Sequence, residues 1–483
     1  MTSLTFYGGV NEIGGNKILL ADQDTRLFLD FGMSFNLANK FFDKYMEARN
    51  LNGINDLVEL GFLPYLEGLY RCDYLERCHY SFKAEPSFDA VLLSHAHMDH
   101  SAYVHYLRED IPLYCTQASK DILQSLDETG SGGKNQYIAR KEAFPIKRSG
   151  AGFVRSRDRE AHPRTYNVVK KSFEVGDLVV ESFSVCHSLE GAAAFILHSQ
   201  AGAIVYTGDL RFQGYKGDLT REFVQHAANS DPIALICEGT RISEPPSKTE
   251  QAVLEEATTK VEKTDSLVIV NFPIRDTDRL SSFAEVAQRT GRALVINLKQ
   301  AYLLELFQKT GVPAPTIDDD NIRIYFPRKK YGAVGDDQYN ANFQKQDYYV
   351  WQREFFERAN VVSAQDIRES QQDYIFRCDY YELTELIDIQ PEAGSCYIRS
   401  TCEPFDEQSE LDKKRVENWL THFNLCPYTK IHASGHMERD EIKEVIETIN
   451  PKILIPVHTE NATEFEKLHE NVIIPEKGRE IVL

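Results

Sequence analysis

Ser94-His95-Ala96-His97-Met98-Asp99-His100 follows directly on the apolar run Val91-Leu92-Leu93 and packs three imidazoles and a carboxylate into positions 95–100. The apolar run reads as a short buried strand that carries the ligand-bearing turn to its own end. His95 and His97, one residue apart, reach one cation from the same side of the chain, while Asp99 and His100 are placed to bind a second beside it. Nitrogen and carboxylate donors suit zinc first, and manganese or iron less well. Histidines kept on a polar loop for solubility would not gather at this density at the end of an apolar strand.

Working outward, the N-terminal part alternates short strands with glycine turns, at 4–7, 17–21 and 26–29, the last ending on Asp30 and Gly32. Residues 33–88 form an aromatic-rich insertion (Phe41, Phe42, Tyr45, Phe62, Tyr65, Tyr70, Tyr74, Tyr80) whose expected role is packing, with part of it free to roof the site. Helices are expected at 102–109 and 120–127. The strand at 177–184 leads to Cys186-His187, and that at 203–206 runs into Thr207-Gly208-Asp209. Three strands thus finish on a candidate ligand, Asp30, His187 or Asp209, as a layered sheet enzyme requires. From about residue 233 strands and helices alternate: strands 233–237, 267–272 and 293–298, helices 249–262, 280–289 and 301–309. A parallel sheet flanked by helices is the expected outcome. Residues 315–390 have weak periodicity and no assigned elements. Strand 395–400, helix 410–423, strand 429–432, helix 440–449 and strand 452–457, ending on His458, complete the chain.

The length of 483 residues implies two domains, and 42% apolar content suffices for cores. Nine cysteines, an odd number without a CxxC pair, fit a reducing cytoplasm. The first residues lack the basic and apolar regions of a signal peptide, and no run of 18 apolar residues occurs, so no membrane association is expected. A net charge of −20 argues at first against nucleic acid. Between Lys134 and Arg164, however, nine basic residues face three acids. With its glycines this segment reads as a mobile loop between two groups of candidate ligands. Arg155, Arg157 and Arg159 are its candidate phosphate contacts, against the alternative of a solvated charge run. The stretch Asn271-Phe-Pro-Ile-Arg275-Asp-Thr-Asp-Arg279 follows a strand, and either binds phosphates through amides and arginines or only starts a helix.

Asp30, then His95-Ala-His97-Met-Asp99-His100, then His187, then Asp209 resembles, motif by motif, the metallo-β-lactamase fold over roughly the first 215 residues. The resemblance implies an α/β fold, an αββα sandwich with the metals at the edge where the strands end. Leu235-Ile-Cys-Glu238-Gly-Thr, His432-Ala-Ser-Gly-His436 and Ile455-Pro-Val-His458-Thr-Glu resemble the three further motifs of the β-CASP nucleases, and within them the ribonuclease J branch. That implies residues 1–220 as the first part of the metallo-β-lactamase domain, an inserted β-CASP domain (parallel sheet flanked by helices) at 221–430, and a completing segment at 431–483. The end at Leu483, without the extra C-terminal domain of the bacterial ribonucleases J, and the unlike insertion at 33–88 point to an archaeal-type or stand-alone member.

By the same resemblance His95, His97 and His187 hold one metal, Asp99, His100 and His458 the other, and Asp209 bridges them. Two zinc ions are implied, with manganese as the alternative. Asp99, Glu238 and His436 are the implied catalytic groups: His436 lies near the scissile phosphate and Glu238 supports the site from the inserted domain. Asp30 orients a ligand histidine. The turn with His432, Ser434 and Gly435 offers a hydroxyl, an imidazole and exposed amides that can cradle a terminal phosphate. The implied activity is a two-metal phosphodiesterase on RNA, a 5′-to-3′ exoribonuclease with endonuclease activity alongside. A DNA exonuclease is the first alternative, because nothing in the motifs senses a 2′-hydroxyl and single-stranded DNA would fit as well. A non-catalytic RNA-binding subunit would not need all seven ligands, and a small-ester hydrolase would need neither the inserted domain nor His436. A homodimer is compatible with the sequence.

Overall fold

The computed structural model describes residues 1–43, 45–130, 136–156, 160–332, 339–403 and 407–483. Three large sheets organise it. The first runs, in spatial order, Tyr166–Val168, Leu113–Cys115, Ala90–Leu92, Thr25–Leu29, Lys17–Asp22, Thr2–Gly8 and Glu480–Val482. The second runs Ser172–Val175, Leu178–Ser184, Ala193–Ser199, Gly202–Tyr206, Ala234–Glu238 and Ile453–Val457.

Period-two alternation makes these two sheets a sandwich. Leu4, Phe6, Ile18, Leu20, Leu27, Leu29, Ala90 and Leu92 of the first sheet share one core with Ala193, Phe195, Leu197, Ile204, Tyr206, Ala234 and Ile236 of the second. The intervening residues point the other way. Leu19, Phe28 and Val91 pack beneath the 33–88 segment and helix Gln117–Thr129. Ala194, Ile196, Val205, Leu235 and Cys237 are covered by helices Gly217–Asn229 and Arg439–Ile449. Helix, sheet, sheet, helix is therefore the layer order, as the motif order implied.

The third sheet is wholly parallel: Val361–Val362, Ile322–Tyr325, Ala293–Asn297, Tyr374–Arg377, Val268–Asn271, Cys396–Arg399 and Thr429–Lys430. Both its faces are covered, which is why its strands are continuously apolar. Its helices start on side-chain caps that the sequence displays, at Thr249, Asp276 and Asn297. Helix Leu298–Thr310 lies against helix Gln117–Thr129 and joins this unit to the sandwich.

Several expectations are corrected. Strand Ala234–Glu238 pairs in parallel with Gly202–Tyr206 and Ile453–Val457, so it belongs to the second sheet of the sandwich and the excursion into the third sheet begins after it, not at residue 221. Strand Ala193–Ser199 escaped notice, and 315–390 supplies three strands of the third sheet. The helix expected at 102–109 begins at Met98 and continues as a 3-10 turn to Tyr106, so Asp99 and His100 sit on its first turn. Of the expected mobile segment, the described residues form two small antiparallel pairs, Ala139–Lys141 with Ala161–Pro163 and Ile146–Ser149 with Gly152–Arg155. Within the aromatic insertion Phe62 and Tyr70 are buried, whereas Tyr45 and Tyr65 are exposed.

Candidate metal centre

The seven candidate ligands come from four places in the chain and converge where the strands of the two sandwich sheets end. Asp209 is the hub. Its Oδ2 lies 3.6 Å from His95 Nε2, 3.2 Å from His100 Nε2, 3.9 Å from His187 Nε2 and 3.7 Å from His458 Nε2. On one side His97 Nδ1 is 2.9 Å from His95 Nε2 and 3.1 Å from His187 Nε2. On the other, Asp99 Oδ2 is 3.1 Å from His458 Nε2 and 3.9 Å from His100 Nε2. His95, His97, His187 and Asp209 form one group able to hold an ion, Asp99, His100 and His458 another, and Asp209, Glu238, His436 and His458 a third.

Three of the rings are aimed by a neighbour. His100 Nδ1 donates to Asp30 Oδ2 (2.7 Å), whose other oxygen accepts the Ser94 amide (2.7 Å). His187 Nδ1 donates to the Gly435 carbonyl (2.6 Å), and Thr240 Oγ1 lies 2.9 Å from His458 Nδ1. Occupying the far nitrogen in this way leaves the near one with its lone pair toward the site.

The electrostatics fit bound cations. Burial, with the neighbouring imidazoles adding to it, holds His95 and His187 well below the ordinary histidine range, and burial brings His97 to about 4. Three neutral rings therefore crowd nitrogens within 2.9–3.1 Å of one another, an arrangement that suits a shared cation. Burial opposes ionisation of Asp209, yet His100, His458 and His436 hold its carboxyl well below the usual range. Asp209 Oδ1 and His100 Nε2 are buried without a hydrogen-bond partner, which is costly in a closed protein and expected of metal ligands. Imidazole and carboxylate donors in these numbers fit zinc.

His436 stands beside the cluster, with Nδ1 3.2 Å from Glu238 Oε1 and 3.8 Å from Asp209 Oδ2. Glu238 and Asp209 outweigh burial and push this imidazole up to about 9. Glu238 is nearly fully buried at the end of a sandwich strand, so it reaches His436 from the second sheet and not from the inserted unit. In the 432–436 turn the Ser434 hydroxyl accepts the His436 amide (3.2 Å) and its own amide donates to Ser247 Oγ (2.9 Å), while His432 Nδ1 faces Arg279 Nη1 at 3.1 Å. Gly435 presents its carbonyl to His187. Arg155 is exposed on its hairpin; Arg157 and Arg159 lie outside the described residues. Arg140 and Arg164, counted in the basic segment, are buried: Arg140 pairs with Glu109 at 2.7 Å and Arg164 donates to the His105 carbonyl at 2.9 Å.

Some contributors escape a motif reading. Tyr206 donates to Asp30 Oδ2 at 2.6 Å and accepts from Asn16 Nδ2 at 3.1 Å, and Ser94 Oγ touches Asp30 and His95. Two glycines of the N-terminal turns pack against the site. A Cβ on Gly14, whose φ is +78°, would stand 2.6 Å from Asp99 Oδ2, and one on Gly32 would stand 1.7 Å from the Asp99 carbonyl oxygen.

Residues 428–475, which hold the 432–436 turn and His458, match the family described as RMMBL, Zn-dependent metallo-hydrolase RNA specificity domain. Ribonuclease J of Sinorhizobium meliloti is 22% identical over 386 residues, 77% of this chain and 58% of that protein. Ribonuclease J of Mycoplasma pneumoniae is 21% identical over 95% of this chain and 68% of its own length. The chain thus spans little more than half of the first of these relatives. A solved structure of a protein of unknown function from Enterococcus faecalis V583 has the same fold, with a TM-score of 0.73, 23% identity and full coverage of both chains. No helix among the described residues is long and apolar enough to cross a membrane. With its cluster of candidate metal ligands and its match to a metallo-hydrolase RNA specificity domain, the chain resembles ribonuclease J over most of its length.

Proposed function

We propose that this protein is a two-metal phosphodiesterase that degrades or processes RNA, acting as a 5′-to-3′ exoribonuclease with endonuclease activity alongside. One observation carries the reading: the segment matching an RNA specificity domain supplies His458 to the ligand cluster and His436 beside it. Substrate recognition and metal chemistry then share one stretch of chain. In this reading His95, His97 and His187 hold one zinc, Asp99, His100 and His458 the other, and Asp209 both, with manganese as the alternative metal. When bound, two such cations lower the pKa of water and stabilise in-line displacement at phosphorus.

The protein groups have separable roles. Asp30, Gly435 and Thr240 keep His100, His187 and His458 in the tautomer that offers a lone pair to the site. His436 donates to the leaving oxygen or holds phosphate charge, and Glu238 positions it. In the 432–436 turn the amides of Ser434 and His436 are already bonded within the protein and His432 faces Arg279, so the Gly435 amide is left to meet the 5′ end, and the exposed hairpin with Arg155 adds phosphate contacts. The free state of all nine cysteines supports a reducing cytoplasm.

End-labelled RNA and DNA of one sequence, bearing 5′-phosphate or 5′-hydroxyl and incubated with zinc or manganese, test this. Expected are mononucleotides released from 5′-phosphorylated RNA. Equal turnover of DNA would favour the DNA exonuclease, equal rates on both 5′ ends an endonuclease, and binding without turnover a non-catalytic subunit.

A further inference from the structure

Arg275 lies in the stretch that joins strand Val268–Asn271 to helix Thr277–Thr290, Arg279 four residues on in the first turn of that helix, and they have opposite fates. Arg279 is fully buried and fully used. Its Nη2 donates to Glu250 Oε1 (2.9 Å) and the Ala433 carbonyl (3.1 Å), its Nε to Glu250 Oε2 (3.2 Å), and its Nη1 to the Ser400 carbonyl (2.9 Å). It can contact no ligand. The helix N-terminus is also spent, because Asp276 caps it by accepting the Arg279 amide at 3.0 Å.

Arg275 has no such partners. Among the described residues, no hydrogen bond, ion pair or ring contact reaches its guanidinium, although it is partly buried. Its backbone is pinned on both sides. Gln300 Nε2 holds the Ile274 carbonyl at 2.9 Å, and Asp276 bridges to Leu189, two residues beyond His187. That places Arg275 where a loop of the third sheet meets the segment that follows His187. Burial lowers its pKa, but a guanidinium stays charged at neutral pH.

An unpaired cation taken partly out of water is expensive, and more so beside a centre that gathers metal ions. A fixed backbone and five unused N–H donors mean that an incoming anion meets a preformed contact. We propose that Arg275 is a substrate-binding residue whose guanidinium takes a phosphate of the RNA backbone beside the metal centre. The inference rests on the RNA phosphodiesterase reading given above.

The test compares wild type, Arg275→Gln and Arg275→Lys, each loaded with zinc, on 5′-phosphorylated RNA across a salt series. Arg275→Gln should raise KM about tenfold or more, by a larger factor than it lowers kcat. It should also flatten the slope of log affinity against log salt by about 0.7, the loss of one phosphate contact on a single strand. Arg275→Lys should restore most of the slope but less of the affinity, because the charge returns without the fork. Zinc content and thermal midpoint of the variants serve as the folding controls, and a merely structural role would not move the salt slope. An unchanged slope and KM in well-folded Arg275→Gln protein overturns the inference. Failure of the wild type to bind or cleave RNA overturns the underlying reading instead.

Discussion

Asp209 shows how much one side chain carries here. Its Oδ2 stands within 3.9 Å of His95, His100, His187 and His458 and 3.8 Å from His436 Nδ1, so removing it strips a shared anion from the middle of a ring of imidazoles. Asp209→Ala should therefore lose metal content and hydrolysis together, since both sites depend on it. Elemental analysis beside an activity assay checks this, and two retained ions with a normal rate would remove Asp209 from the bridging role. His436 predicts the opposite pattern. Its Nδ1 is taken up by Glu238 and Thr240, outside the seven ligands, so His436→Ala should keep its metals and lose turnover by about 10²–10⁴-fold. Unchanged turnover would make His436 structural.

Elements are joined at Glu250, the first residue of helix Glu250–Glu262. Its fully buried carboxylate pairs with Arg211 Nη1 at 3.2 Å and Arg279 Nη2 at 2.9 Å. Arg211 in turn holds the Ser434 carbonyl at 2.7 Å and Arg279 the Ala433 carbonyl at 3.1 Å. A loop of the sandwich, two helices beside the third sheet and the turn bearing His436 therefore meet on one carboxylate. Glu250→Ala would leave two buried guanidinium groups without their shared partner, and a loss of about 3–5 kcal/mol is expected. Urea unfolding measures it, and a loss under 1 kcal/mol would show that the two arginines find other partners. Sequence signals at this scale were uneven. The long helices were legible because their apolar pattern is local, although the caps Asp276 and Asn297 start two of them three residues earlier than expected, whereas the strands in 315–390 are two to four residues long and too short to show a period.

Across the whole molecule, Lys17 couples folding to pH. It is almost fully buried and donates to the carbonyls of Gly15 and Gly32, both at 2.8 Å. Burial, opposed by Glu12, brings its pKa down to about 7. The folded state thus releases a proton that the unfolded chain keeps until near pH 10.5. Below pH 7 the full cost of a buried ammonium is present, and it is relieved as pH rises from about 7 toward 10.5. Lys17→Met removes this dependence while orphaning the same two carbonyls at every pH. Relative to wild type, the variant should therefore gain about 2–3 kcal/mol at pH 6 over its standing at pH 9. Parallel stability profiles for the two proteins would show that Lys17 stays charged in the fold.

The sequence alone determined the 95–100 group of candidate ligands, the order of the motifs and the layered α/β class. The first and last rest on residues close together in the chain, since His95 to His100 share one turn and apolar alternation assigns each residue of a strand to a face, whereas His187, Asp209 and His458 join the group only through the order of the motifs. It did not determine which strand lies beside which. Strand Ala234–Glu238 looks like the opening of the third sheet because helices follow it, yet its partners are Gly202–Tyr206 and Ile453–Val457, the latter more than 200 residues away. The fate of individual charges was equally hidden. Arg140 and Arg164 in the basic segment are buried among partners, Arg279 is spent on Glu250, and Arg275, four residues earlier, is left unpaired. Alternation specifies the face a side chain points to, but only the packed chain specifies what waits there, because a buried polar group takes its partner from whichever segment the sheets bring opposite it.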